Sequence, residues 1–152
     1  MRIALSADHA GFELKQHLSA HLVRQGHAPL DLGTHSAAPV DYPDAAEAVA
    51  EALRDGQAER GVIVCGSGAG VSVASNKFPG IRAAVCHDTY TAHQAVEHDD
   101  LNVLCLGARV VGAALAFEIV DAFLGARFSG EPRHQRRLDK VLAIEGRFTG
   151  HR

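Results

Sequence analysis

Short apolar runs alternate with amphipathic stretches along this chain. Ile3-Ala4-Leu5 reads as a first strand, closing at Ser6-Ala7-Asp8-His9. Residues 10–25 read as a helix, because Leu14, Leu18 and Leu22 recur at i, i+4 and i+8 and build one apolar stripe. Gly26 is a natural stop. Ala28 to Leu32 is a weaker second strand, and 33–41 a loop. Asp41 is placed to cap the next helix, with Tyr42 and Pro43 in its first turn, and that helix runs to about Leu53. Val62-Ile63-Val64-Cys65 is the clearest strand, short and β-branched. Gly66-Ser67-Gly68-Ala69-Gly70 follows directly and opens a helix through Val71-Ser72-Val73-Ala74. Ala83 to Cys86 and Val103 to Leu106 are a fourth and a fifth strand, separated by a helix over about 89–98. A long apolar helix runs from about Val110 to Leu124, and the arginine-rich tail is helical after Pro132.

Apolar strands alternating with helices imply βαβ crossovers and a parallel sheet covered on both faces. The expected fold is therefore α/β, a Rossmann-like open doubly wound sheet of five parallel strands. It forms one domain over 1–152 and ends in a helical tail over about 126–152. In such folds ligands sit at the carboxyl ends of the strands. That rule selects Asp8 and His9, the 33–42 loop, Cys65 to Gly70, His87 and Asp88, and Gly107 to Arg109.

Composition narrows the picture. With 152 residues, 47% hydrophobic and 22% charged, the chain can bury one sizeable core, which excludes disorder throughout. The net charge of −3 does not suit a nucleic-acid binder. No apolar run approaches the roughly 20 residues that cross a bilayer. The start lacks the apolar stretch and cleavage site of a signal peptide, so the cytoplasm is the default location. The three cysteines, at 65, 86 and 105, form no C-x-x-C pair, which argues against a disulfide framework or a cysteine zinc site. Each lies at or near the end of an apolar run and fits as a small buried hydrophobe.

The loop from Cys65 to Gly70 is the most informative segment. Its glycines let backbone approach a ligand closely, and the N–H groups at a helix start favour negative charge. The loop suits a phosphate or an oxyanion formed during reaction. It is not a dinucleotide fingerprint, since position 71 is Val and the loop follows the third strand. It is not a P-loop, since no Gly-Lys-Ser/Thr is present, nor a nucleophile elbow, since position 68 is Gly. What remains is a thiol at a strand end beside a helix N-terminus, where a thiolate is favoured and can act as base or nucleophile. The bland reading of Cys65 as the last buried strand residue stands beside it.

The histidines and arginines divide. His17 and His21 share a helix face at i, i+4, but sequence places no third ligand, and a solvated face is expected. His27 and His35 carry no signal, and His93 reads as structural. His87-Asp88 follows a strand and fits either a site lining or a helix cap. Asp8-His9 ends a strand. His98-Asp99-Asp100 falls in a helix-to-strand loop, a place that makes sense for a site residue only if it serves a second subunit. Arg133 and Arg137 share a helix face at i, i+4 and fit a phosphate dianion, or else form a solvated face. Arg109 is a third possible anion ligand.

These residues carry a resemblance. Asp8-His9-Ala10-Gly11-Phe12, Asp41-Tyr42-Pro43, Cys65-Gly66-Ser67-Gly68-Ala69-Gly70 and Asn76-Lys77-Phe78-Pro79-Gly80-Ile81-Arg82-Ala83 are similar, in order, to the type B ribose-5-phosphate isomerases. That family is shared with galactose-6-phosphate isomerase subunits. Glu97-His98, Gly107-Ala108-Arg109-Val110 and Arg133-His134-Gln135-Arg136-Arg137 continue the match over essentially the full length.

The resemblance implies interconversion of an aldose phosphate and a ketose phosphate through a cis-enediolate, with no cofactor and no metal. Cys65 resembles the base that moves a proton between C1 and C2. Some members use a glutamate further along the loop, but position 71 is Val here. Ser67 resembles the hydroxyl assisting proton movement between the oxygens. The N–H groups of Ser67, Gly68, Ala69 and Gly70, after Gly66, resemble an anion hole. His98 resembles the ring-opening residue, supplied by the neighbouring subunit of a homodimer or tetramer. Asp8 and Tyr42 would contact sugar hydroxyls, and His9, Arg109, Arg133 and Arg137 the phosphate. One departure is Asp99, where many members have Asn, which bears on substrate preference. Two other readings remain at this level: a non-catalytic sugar-phosphate sensor on the same fold, and a thiol redox protein, for which no adjacent resolving cysteine is present.

Overall fold

The computed structural model describes residues 1–150. Its centre is a single sheet of five parallel strands, β1 (Arg2–Ala7), β2 (Ala28–Asp31), β3 (Arg60–Cys65), β4 (Ala83–Val85) and β5 (Val103–Gly107), in the order β2-β1-β3-β5-β4. Six helices connect or follow them: α1 (Phe12–Arg24), α2 (Tyr42–Arg54), α3 (Ala69–Ser75), α4 (Thr89–Asp99), α5 (Ala113–Gly125) and α6 (Pro132–Phe148).

Strands β1, β3 and β5 are buried almost end to end, as continuous apolar runs in a doubly covered sheet should be. Alternate strand residues point to opposite faces. One core joins Ile3, Leu5, Val62, Val64, Leu104 and Leu106 to α1, α4 and α5. The other joins Ala4, Ile63, Cys65 and Cys105 to α2 and α3. The doubly wound sheet expected from the apolar pattern is thus the fold.

The connections decide where a ligand can enter. From β1 the chain passes to α1 on the first face, from β3 to α3 on the second, and from β5 to α5 on the first. The chain therefore diverges on both sides of the end of β3. This is the crevice that open α/β folds use for ligands.

Several element ends differ from the apolar pattern. The last helix before the tail begins at Ala113 rather than Val110, because Gly107 carbonyl accepts the N–H groups of Val110 (3.0 Å) and Val111 (3.1 Å) in a turn first. Asp41 does stand at the α2 N-terminus, but its side chain caps nothing; its carbonyl accepts the Asp44 N–H at 3.2 Å. His98 lies in the last turn of α4, which runs on to Asp99, and not in a loop. His21 is buried rather than solvated, stacked on Phe117 with ring centroids 4.3 Å apart and bonded through Nε2 to Asp121 at 2.7 Å. Position 21 is three residues beyond Leu18, inside the broad apolar stripe of a helix that packs on α5. His17 on the same helix is exposed.

Candidate active site

Cys65 ends β3 and is 5% exposed. Its thiol faces the α2–α3 side, among Val71 and Cys105. The Gly68 N–H donates to its Sγ at 3.1 Å. That bond needs the loop to double back, and Gly68 does so at φ +82°, a region L side chains rarely enter. Ser67 is exposed, and its Oγ accepts the Ala69 N–H at 3.2 Å. The anion hole expected over the whole loop is thus partly engaged. Gly68 N–H is turned to sulfur and Ala69 N–H to the serine, while the N–H groups of Ser67 and Gly70 are tied to neither side chain.

Around this loop the structure gathers most of the residues singled out in sequence. Asp8 follows β1 and donates its N–H to the Val64 carbonyl at 3.1 Å, which places it beside Cys65. Its Oδ1 accepts the N–H groups of Ala10 (2.9 Å) and Gly11 (3.1 Å). His9 accepts the Val40 N–H on Nδ1 at 3.2 Å, pinning the 33–41 loop over the site. Asp31, at the end of β2, holds the start of that loop through the Gly33 N–H at 3.0 Å. Burial pushes the Asp31 carboxyl up. The Lys15 ammonium, 2.6 Å away, and the Gly33 N–H outweigh burial and hold it below the ordinary carboxylate range. A Cβ on Gly70 would meet the Tyr42 ring at 3.0 Å, so the ring covers the loop. A Cβ on Gly66 would lie 3.5 Å from Arg109 Nη1, so the guanidinium stands at the loop's other end. Asp8, His9, Tyr42, Cys65, Gly66, Ser67, Gly68, Ala69, Gly70 and Arg109 thus form one site.

His98, Asp99, Arg133 and Arg137 do not join it. Helix α4 leaves the carboxyl end of β4 and returns toward the amino end of β5. At a rise of about 1.5 Å per residue, it carries His98 roughly 14 Å from Thr89 toward the opposite edge of the sheet. There His98 stacks on His134 of α6, with centroids 4.0 Å apart. Arg133 and Arg137 are exposed on the same helix, Arg133 pairing with Glu131 at 3.2 Å. Asp99 is exposed and lines a groove of about 1090 Å³ between α6 and the segment from Asn76 to Ala83.

One buried residue, His134, was given no role by the sequence. His134 is 2% exposed, and its Nδ1 lies 2.6 Å from Ser129 Oγ. Burial first, then the charges of His98 and Arg133, holds its ring below the usual histidine value. Its spacing of i, i+4 with Leu138, the other buried residue of α6, was the available signal. His87 accepts the Gly107 N–H on Nε2 at 2.9 Å, while Asp88 caps α4 through the Thr91 N–H at 2.6 Å. The cap reading of that dipeptide holds at Asp88, while His87 binds the backbone at the end of β5.

The remaining thiols are buried. Burial, with a contribution from Asp88, pushes the Cys86 thiol up to about 11, and burial pushes Cys105 up as well. Among the described residues, no three His, Cys, Asp or Glu side chains are grouped to hold a metal ion. No helix among them is long and apolar enough to cross a membrane.

Comparison with known proteins gives this geometry a lineage. The family model described as Ribose/Galactose Isomerase matches residues 3–141. Ribose-5-phosphate isomerase B of Escherichia coli (strain K12) is 49% identical over 146 residues, covering 96% of this chain and 97% of that protein. D-erythrulose-4-phosphate isomerase of Pectobacterium atrosepticum is 42% identical over 134 residues, 86% of each chain. The solved structure of Clostridium thermocellum ribose-5-phosphate isomerase B superposes with a TM-score of 0.95 at 46% identity, covering 98% of this chain and 100% of that one. A family model spanning most of the sequence, and relatives near half identical over nearly all of it, leave one conclusion: this chain belongs to the ribose/galactose isomerase family, and it is an isomerase.

Proposed function

We infer that the protein interconverts D-ribose 5-phosphate and D-ribulose 5-phosphate through a cis-enediolate, with Cys65 as general base. The observation that carries this reading is the position of Sγ. It sits at the floor of a glycine loop at the crevice of the sheet, with a backbone N–H aimed at it from 3.1 Å. Such a donor suits a sulfur that carries negative charge. The names of the relatives supply the substrate class.

In the open-chain aldose the thiolate takes the proton from C2. The C–H electron pair becomes the C1–C2 double bond, and the carbonyl pair moves onto O1. Ser67 assists passage of the proton on O2 to O1. The Cys65 thiol then returns its proton to C1, leaving a ketone at C2 and a thiolate at the start. The free N–H groups of the loop face the charge that develops on the oxygens. One such donor is worth about 3–4 kcal/mol of barrier, and a placed general base about 10²–10⁴ in rate. Asp8 and Tyr42 contact sugar hydroxyls, and His9 and Arg109 hold the phosphate.

Ring opening and full phosphate binding use His98, Arg133 and Arg137, which lie at the other edge of the same chain. A homodimer in which they enter the partner's Cys65 site accounts for both clusters. Helix α6 supports it by exposing Val141, Ile144 and Phe148, at 52%, 50% and 77%. Burying a side chain of that size stabilises an association by roughly 1.5–3 kcal/mol. The cytoplasm suits an enzyme with a reduced thiol and a phosphorylated substrate.

Asp99 and the four-carbon relative favour one second reading, an isomerase for another aldose phosphate. The deciding experiment follows ribose 5-phosphate by NMR in the presence of EDTA, for the wild type and Cys65→Ala, with four- and six-carbon phosphates in parallel. Pentose turnover by the wild type and its loss in the variant is the expected result. Turnover of only another sugar phosphate keeps the mechanism and moves the substrate. Binding without turnover of any of them makes the protein a sensor and overturns the reading.

A further inference from the structure

We propose that His87 is a positioning residue for the thiol loop, acting by holding the Leu106–Gly107 peptide on which Ser67 and Gly68 rest. It builds on the assignment of Cys65 as base.

The ladder between β4 and β5 runs through Val85 opposite Cys105, and the Cys86 N–H still donates to the Cys105 carbonyl at 3.3 Å. The chain then turns away, because Asp88 has to cap α4. The next group of β5 on that side is the Gly107 N–H, and the backbone of β4 no longer reaches it. The His87 ring takes the place of the missing carbonyl, accepting that N–H on Nε2 at 2.9 Å. To accept there, the ring carries its proton on Nδ1.

The peptide so held is the floor of the site. A Cβ on Gly107 would fall 2.7 Å from the Ser67 carbonyl carbon and oxygen. A Cβ on Gly68 would fall 3.1 Å from the Leu106 carbonyl carbon and 3.3 Å from the Gly107 nitrogen. Backbone therefore lies on backbone with no side chain between. Gly68 in turn aims its N–H at Cys65 Sγ. Three contacts in series join the imidazole to the sulfur: ring to Gly107 N–H, peptide to Gly68, and Gly68 N–H to thiol. His87 touches none of the loop's reacting groups itself. It sets where the donor to sulfur and the hydroxyl of Ser67 stand.

The test compares wild type, His87→Leu, His87→Gln and Cys65→Ala as full-length protein. Leucine fills the space without an acceptor, and glutamine restores an acceptor oxygen. The expected result is a kcat for His87→Leu lower by about 10- to 100-fold, the scale of a misplaced catalytic group, with KM within about twofold. His87→Gln should recover most of that loss, and both variants should melt cooperatively. Protection of the Gly107 amide from hydrogen exchange should fall in the leucine variant and return in the glutamine variant. Wild-type kcat in His87→Leu, with Cys65→Ala inactive, overturns the proposal and leaves the base assignment standing. So does unchanged Gly107 protection, or a glutamine variant as slow as the leucine one. Full activity in Cys65→Ala overturns both.

Discussion

The two edges of the sheet are built differently. At the carboxyl edge of β3, several elements of the site are fixed by hydrogen bonds within the chain. Sγ has its N–H from Gly68, His9 is tied to Val40, and the floor under Gly68 is held by His87. At the far edge, α6 buries only His134 and Leu138 and leaves an apolar face in solvent. Its Arg133 and Arg137 are exposed, Arg133 pairing with Glu131. The first edge has the tight backbone contacts of a preorganised anion site, where charge stabilisation costs no rearrangement during reaction. The second leaves Val141, Ile144 and Phe148 in solvent. Under the proposed homodimer, a site divided this way would have its proton chemistry in one chain and part of its phosphate grip in the other.

The largest expected effect lies at the first edge. Cys65→Ala should lower kcat by at least about 10²–10⁴-fold, the share of a general base, while stability changes little for so small a deletion. Steady-state kinetics beside a thermal melt separates the two. Near-normal turnover would remove the chemistry from β3.

The next effect couples the edges. Arg133→Ala and Cys65→Ala should each be inactive or nearly so at low substrate. Mixed and reassembled in equal parts, they should recover about a quarter of the wild-type activity. Half of the dimers are then hybrids, and each hybrid holds one intact site. Failure to complement would mean one lesion in each site, as when Cys65 and Arg133 serve the site of their own chain, and would dissolve the comparison.

Glycines grade the edges by stability. Gly107→Ala forces a Cβ to 2.7 Å from the Ser67 backbone and should cost about 1–3 kcal/mol, read by urea unfolding, with slower turnover as the loop shifts. Gly146→Ala in α6 meets nothing within 4 Å and should stabilise by about 0.5–1 kcal/mol, as alanine does in an exposed helix. Equal effects would mean that the edges are equally packed.

How much of this could be read from sequence follows the same divide. The strands, the crossovers and the Cys65 loop are local patterns, and the carboxyl-end rule alone brings Asp8, Cys65 and Arg109 to one crevice. His21 was misplaced because an i, i+4 histidine pair suggested a shared solvated face, while packing on α5 widened the buried stripe to include one of the two. His87 and Gly107 could not be joined from sequence, since their bond exists only because β4 ends two residues before β5 does. His134 was hidden inside an arginine cluster whose charge drew attention from the single buried ring.

That ring provides the smallest and most local prediction. His134 is buried against His98 and accepts no charge easily: burial and neighbouring positive groups hold its folded value below the ordinary histidine value near 6.5. The unfolded chain therefore binds this proton more tightly than the folded one. Above about pH 6.5 both states are neutral at this position, and the stabilisation is complete. As pH falls below that value the unfolded state gains the proton first, and stability drops until the folded ring also titrates. Urea unfolding at pH 7.0 and 5.5 should show a loss in wild type that is smaller in His134→Phe, which keeps a stacking ring without a titrating nitrogen. Amide exchange should show α6 loosening before the sheet, because Ser129 and His98 are the contacts that its protonation disturbs. An identical pH slope in wild type and His134→Phe would mean that the far edge is held by its apolar contacts alone, and that the histidine stack contributes nothing to holding the arginines in place.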